Sequence, residues 1–272
     1  MTSIVRLLPV VCALFAAASV AAGAEDWESS VNKFAPGSFP EPRPVTVTYG
    51  FGWNGFTAAS GEIRFTKSPA GQFSFDIKGG TIGFARTLWQ YDVAHTALSD
   101  GKTLRPLHVK EVEDIRSKHL TTDLTFTPEG VTSAREERDD GEVKSKTRTF
   151  AFPDVLSLNS ALLYLRTQTM RDGDTHRVVV YPATSAYLCT VTVRGRERVT
   201  VPTGSYNAIK LDVQLQKIGK KRELLPHKKL KKATVWLSDD ADRLVLRIEA
   251  QIFIGTVFAE LQSAQFENGG KH

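Results

Sequence analysis

The residues of this chain with the greatest chemical reach are its histidines and its paired carboxylates. The histidines are His95, His108, His119, His176, His227 and His272, and none stands in an H-x-H or H-E-x-x-H arrangement. Their spacing therefore specifies no metal-ligand set. Adjacent acids occur at Glu136-Glu137, Asp139-Asp140 and Asp239-Asp240. Glycoside hydrolysis needs two carboxyls facing each other across a cleft. Neighbours on a strand point to opposite faces, and acids in turns serve backbone hydrogen bonds. Between His108 and Ile115, alternation puts His108, Lys110, Val112 and Asp114 on one face and Val109, Glu111, Glu113 and Ile115 on the other. That is the pattern of a solvated polar face. No G-x-S-x-G elbow exists for a nucleophilic serine. The sequence thus specifies no catalytic residue, no metal and no cofactor.

Two other groupings suit binding. Phe51, Trp53, Phe56, Phe84, Leu88, Trp89 and Tyr91 cluster around Gly79-Gly80 and Gly83. In a curled sheet such side chains fill the core or line a cavity for an apolar ligand such as an acyl chain. The second grouping is basic: Lys217, Lys220, Lys221, Arg222, His227, Lys228, Lys229, Lys231 and Lys232, with Glu223 as the opposing charge and Leu224, Leu225 and Leu230 interleaved. It reads either as a solvated hairpin loop or as a contact for anionic lipid headgroups, lipopolysaccharide or an acidic partner.

The elements that must position these groups are strands. Val45, Val47 and Tyr49 alternate with Thr46 and Thr48, and Phe73, Phe75 and Ile77 with Ser74, Asp76 and Lys78. A period of two, bounded by Gly, Asn, Asp and Pro, marks half-buried antiparallel strands. Further strands are expected at 91–99, 105–115, 118–127, 130–138, 142–150, 175–181, 186–199, 205–217, 232–239, 243–254 and 256–266. One segment departs from this period. Val155, Leu158, Leu162 and Leu165 recur at three- and four-residue steps, predicting an amphipathic helix at about 154–171 with Asp154 as its N-cap. The expected fold is mainly β: a large curled antiparallel sheet, a half-open barrel or sandwich, with one principal helix.

The chain opens with Arg6, an apolar run from Leu7 to Ala22, and Ala22-Gly23-Ala24 before Glu25-Asp26. This is the layout of a cleavable secretory signal, with cleavage after Ala24. Residues 25–44 carry Pro36, Pro40, Pro42 and Pro44 and read as an extended, solvated lead-in; 45–268 read as one β-rich domain. Cys12 leaves with the signal, and the lone Cys189 reads as a buried small hydrophobe, a usage that fits a bacterial periplasm. The 35 basic and 30 acidic side chains leave a net charge of +5, too mild for a nucleic-acid binder.

Four segments together resemble DUF3108, a family of bacterial exported proteins of unknown function. They are Val47-Thr48-Tyr49-Gly50-Phe51-Gly52-Trp53-Asn54-Gly55 with Ser60-Gly61-Glu62-Ile63; Asp154-Val155-Leu156-Ser157 with Leu163-Tyr164-Leu165-Arg166 and Asp172-Gly173-Asp174; Val201 to Leu211; and Val235-Trp236-Leu237-Ser238-Asp239-Asp240 running into Arg243-Leu244-Val245-Leu246-Arg247. The resemblance implies a β-rich envelope protein and carries over no catalytic residues. At the level of fold class alone, a half-barrel with a helix is also similar to LolA/LolB-like periplasmic lipoprotein carriers. Three readings stay open: a non-enzymatic periplasmic binding protein for lipid or lipoprotein acyl chains, a structural or protein-interaction module in envelope assembly, and an enzyme acting on envelope polysaccharide.

Overall fold

The computed structural model describes residues 26–226, 230–252 and 255–267. The expected signal and its cleavage site, and Lys228 and Lys229 of the basic stretch, lie outside the described residues, as does the side chain of Lys231.

The described residues form fifteen strands in one antiparallel sheet. In chain order these are β1 (Val45–Trp53), β2 (Phe56–Lys67), β3 (Phe73–Thr81), β4 (Tyr91–Ser99), β5 (Pro106–Ile115), β6 (Lys118–Thr127), β7 (Gly130–Asp139), β8 (Glu142–Ala151), β9 (Thr175–Val180), β10 (Tyr187–Val201), β11 (Gly204–Ile218), β12 (Leu224–Pro226), β13 (Leu230–Ser238), β14 (Val245–Ile252) and β15 (Gly255–Phe266). Their order across the sheet is β8-β7-β6-β5-β4-β3-β2-β1-β15-β14-β13-β11-β10-β9, with β12 paired to β11. Successive strands are nearly all neighbours, as tight turns between alternating segments require. A short helix α1 (Gly83–Leu88) joins β3 to β4, and α2 (Leu158–Thr167) joins β8 to β9.

The sheet curls until its two ends meet without a ladder between them. Phe150 near the end of β8 stacks at 6.1 Å on Tyr181, just beyond β9. The Arg222 guanidinium lies over Phe150 and Phe152 at 5.3 and 5.1 Å and donates to the Ala151 carbonyl. The free edge of β9 is occupied as well. Leu156 forms a parallel bridge to Val180, and the Asn32 backbone N–H donates to the Arg177 carbonyl at 2.8 Å. These contacts satisfy groups that an open edge would offer to another chain.

Helix α2 is shorter than its periodicity predicts. Ser157, not Asp154, is the N-cap, its Oγ accepting from the Ser160 N–H at 3.0 Å. Asp154 instead takes a left-handed turn (φ 59°) and pairs with Arg105. Pairing of Leu156 with β9 holds the backbone extended through this point, so helix can begin only after it. The helix packs inside the curl. Asn159 and Ser160 meet His95 and Ser99 of β4, and Arg166 lies over Phe65 of β2. Leu163 is fully buried against the larger apolar cluster, while Ala161 and Tyr164 join the smaller one formed with β9, β10, β11 and β13.

The lead-in is extended, as its prolines require, but its aromatic residues anchor it rather than leaving it solvated. Trp27 stacks on Phe152 at 5.6 Å, Phe34 packs on Tyr164 at 5.2 Å, and Phe39 lies beneath the Arg243 guanidinium at 3.3 Å. Gly37 passes so close to the end of α2 that a Cβ there would stand 2.0 Å from the Thr167 carbonyl oxygen.

The Ser238-Asp239-Asp240 motif has a structural role. Ser238 Oγ donates to Asp240 Oδ1 at 2.8 Å and accepts the buried Leu244 N–H at 2.8 Å. Asp240 Oδ1 also accepts the N–H groups of Asp242 and Arg243 at 2.9 and 3.0 Å. The carboxylate therefore shapes the β13–β14 turn.

Candidate functional site

Because every strand pairing is antiparallel, the turns alternate between the two ends of the sheet. By strand direction, one end carries the turns β1–β2, β3–β4, β5–β6, β7–β8, β9–β10 and β14–β15, together with the β11–β13 connection. Among the described residues ten large apolar side chains are exposed: Phe51, Trp53, Phe56, Ile82, Phe84, Leu88, Trp89, Val143, Leu158 and Leu225. Seven of them, Phe51, Trp53, Phe56, Ile82, Phe84, Leu88 and Trp89, sit on the neighbouring β1–β2 and β3–β4 connections. Scattered exposed apolar residues are ordinary; gathering of this kind is not.

The aromatic residues singled out in the sequence are brought together there, but at a rim in contact with solvent. Trp53, Phe56, Phe84 and Trp89 are 46%, 59%, 69% and 49% exposed. Turn chemistry places them. Asn54 and Gly55, both at positive φ (45° and 84°), make the tight turn that projects Trp53 and Phe56. Helix α1 carries Phe84 and Leu88, and its N-terminal neighbour Ile82 is tied to β2 through its N–H to the Ala58 carbonyl at 2.9 Å. Trp89 stacks under Arg116 at 4.4 Å, and Arg116 also donates to the Leu88 carbonyl at 3.1 Å. Phe51 lies over a pair of glycines: Gly61 and Gly79 face each other across β2 and β3, and a Cβ on Gly61 would stand 3.1 Å from the Phe51 ring.

The inner wall below the rim changes character around the sheet. Cross-strand partners share a face. One row runs Tyr49, Gly61, Gly79, Val93, Glu113, Leu120, Glu137, Lys144. The next runs Val47, Ile63, Ile77, His95, Glu111, Thr122, Arg135, Lys146. His95 touches α2, so these rows face the helix side. The wall is apolar at β1–β3 and polar at β5–β8. Tyr91 Oη donates to Glu113 at 3.1 Å, and Glu113 is 4.0 Å from Arg135. Burial, with the negative charge of Glu113 beside it, pushes the Tyr91 hydroxyl well above the usual phenol range. His95 bridges Glu111 through Nδ1 and Asn159 through Nε2, each at 3.1 Å. This half-buried network escapes sequence reasoning. Alternation places Glu111 and Glu113 on one face, yet only the strand order shows that His95, Tyr91 and Arg135 stand beside them.

The basic stretch divides. Lys220 and Lys221 are exposed in the β11–β12 turn. Lys217 is half-buried in β11, and Lys232 lies 3.5 Å from Asp212. Arg222 spans the seam described above.

Cys189 is buried and unpaired, and the apolar surroundings push its thiol up to about 12. A thiol reagent at neutral pH is expected to label it only after unfolding. Labelling of the native chain at the rate of free cysteine would show that β10 opens readily.

The chain is similar to a β-barrel-like protein of the domain of unknown function DUF1849 from Brucella abortus, with a TM-score of 0.55 at 8% identity, over 84% of this chain and 99% of that one. It also matches a candidate lipoprotein from Parabacteroides distasonis, with a TM-score of 0.33 at 9% identity, over 86% of this chain and 100% of the other. No curated protein matches it in sequence. The family model described as protein of unknown function (DUF3108) matches residues 45–262, spanning the sheet from β1 almost to the end of β15, and the chain therefore belongs to the DUF3108 family.

Proposed function

We propose that this protein is a non-enzymatic, exported binding protein that engages lipid at the turn-bearing end of its sheet, in the periplasm. The observation that carries this reading is the gathering of seven of the ten exposed large apolar side chains on the neighbouring β1–β2 and β3–β4 connections. Cations accompany them: Arg86 and Arg116 beside α1, with Lys220 and Lys221 exposed in the β11–β12 turn. Tryptophan and phenylalanine flanked by basic side chains suit an interface where acyl chains meet anionic headgroups. Phe51 over the glycine pair continues this apolar surface into the inner wall, where an acyl chain would lie. Arg86 is held at the rim by a bidentate pair with Asp92 at 2.8 Å for both bonds.

Vesicle flotation of residues 25–272 tests the reading. Flotation is expected with vesicles containing phosphatidylglycerol at low salt, and weaker flotation with phosphatidylcholine alone. Equal absence of binding to both would overturn the proposal.

A further inference from the structure

At the far end of the inner wall, β7 and β8 carry a set of charges that the rim does not use. A groove of about 300 Å³ is lined by Arg135, Glu137, Lys144, Ser145, Lys146 and Arg148. We infer that this groove is a binding site for a phosphate-bearing anion.

The argument starts from register. Arg135 of β7 stands directly opposite Lys146 of β8, and Arg148 is the next residue on the same face. Like charges directly opposed across an antiparallel pair destabilise the sheet. The nearby acids do not relieve them. Glu137 is engaged by Lys118 at 2.9 Å, and Glu142 by Lys144 at 2.9 Å. Glu113 reaches Arg135 only at 4.0 Å while accepting from Tyr91. Lys146 and Arg148 have no ion-pair partner among the described residues. Three cations thus converge on one groove with a single long ion pair among them.

Protection of the edge strand by charge extends to the basic residues of β8 but not to Arg135 on the strand within. All the basic residues of β8 (Lys144, Lys146 and Arg148) fall on the face shared with Arg135, while Val143, Ser145, Thr147 and Thr149 on the opposite face are uncharged. Arg135 belongs to the penultimate strand, and its side chain is 29% exposed. Beside the groove the sheet is anchored: Ser133, paired with Arg148, is fully buried and donates to the Ala183 carbonyl at 2.7 Å. Two guanidinium groups and an ammonium around the groove match the several acceptor oxygens of a phosphate group. None of the exposed aromatic residues lines the groove, so the inference does not depend on the rim reading.

Isothermal titration of residues 25–272 with inorganic pyrophosphate at low ionic strength tests it. Saturable one-to-one binding is expected, weakened about tenfold in the K146A/R148A variant by the loss of charge-assisted contacts. The K78A/K102A variant, which removes the same charge from exposed positions on β3 and in the β4–β5 turn, should bind as the parent does. R135Q gives a second reading of the same groove, and circular dichroism checks that each variant is folded. A parallel titration with monomeric dihexanoyl phosphatidate separates the sources. Tighter binding than pyrophosphate assigns a lipid headgroup; equal binding assigns a soluble phosphorylated compound. Absence of saturable pyrophosphate binding, or unchanged affinity in both K146A/R148A and R135Q, overturns the inference.

Discussion

Replacing Phe56, Phe84 and Leu88 together by alanine is expected to weaken association with anionic vesicles by about a hundredfold while leaving the unfolding transition in place. The three side chains are 59%, 69% and 61% exposed, so little of their apolar surface is buried by folding. Full burial of such a side chain is worth roughly 1.5–3 kcal/mol. Partial insertion at an interface yields about 1 kcal/mol each, and about 3 kcal/mol in sum corresponds to the hundredfold change. The basic residues make a separable contribution, about 1 kcal/mol for each one near a charged surface, which added salt removes. Flotation across a salt series distinguishes the two contributions: the triple variant lowers binding at every salt concentration, whereas K220A/K221A lowers it chiefly at low salt. A triple variant that floats like the parent chain would sink the rim as the lipid contact.

The largest expected loss of stability comes from Arg243→Ala. This buried side chain donates to the carbonyl of Arg166 at 2.9 Å and to that of Gln168, the acceptors that α2 leaves unsatisfied at its C-terminal end. In return, Arg166 donates to the Asp242 carbonyl, and Arg43 grips the Asp242 carboxylate at 2.6 and 2.8 Å. The helix inside the curl and the β13–β14 turn are therefore held by exchanged arginines. Burial pulls both guanidinium groups down, Arg166 to about 10, so each is retained against a desolvation cost. Truncating Arg243 leaves two carbonyls without a donor and removes its cover over Phe39. The expected cost is about 3 kcal/mol, or roughly 6–12 °C in the unfolding midpoint for a chain of this size. Arg243→Lys should recover only part of it, because one ammonium cannot match a planar fork that reaches two acceptors. Urea denaturation measures both variants. A loss below about 1 kcal/mol for the alanine variant would mean that the end of α2 is held by other contacts.

The alternation of Val45, Val47 and Tyr49, or of Phe73, Phe75 and Ile77, was enough to identify strands, because a half-buried strand must repeat every two residues. The helix was legible for the same kind of reason, but its start was not. Pro153-Asp154 suits an N-terminus locally, while the pairing of Leu156 with Val180 delays the helix to Leu158. That bridge joins residues far apart in the chain and leaves no trace in either segment alone. The basic stretch shows a similar limit: its composition treats Arg222 as one cation among nine, yet tertiary packing spends it on the seam.

By itself the sequence determined the strand-rich class, the one principal helix and the family. All of these follow from local periodicity, from backbone preferences, or from motifs strung along the chain. The tertiary structure decided which face each strand presents to which neighbour. It set the aromatic residues on an exposed rim, placed Glu111 and Glu113 beside His95 and Tyr91, and opposed Arg135 to Lys146. Register and curl are properties of pairs of strands, and neighbouring strands fix them only when the whole sheet is assembled.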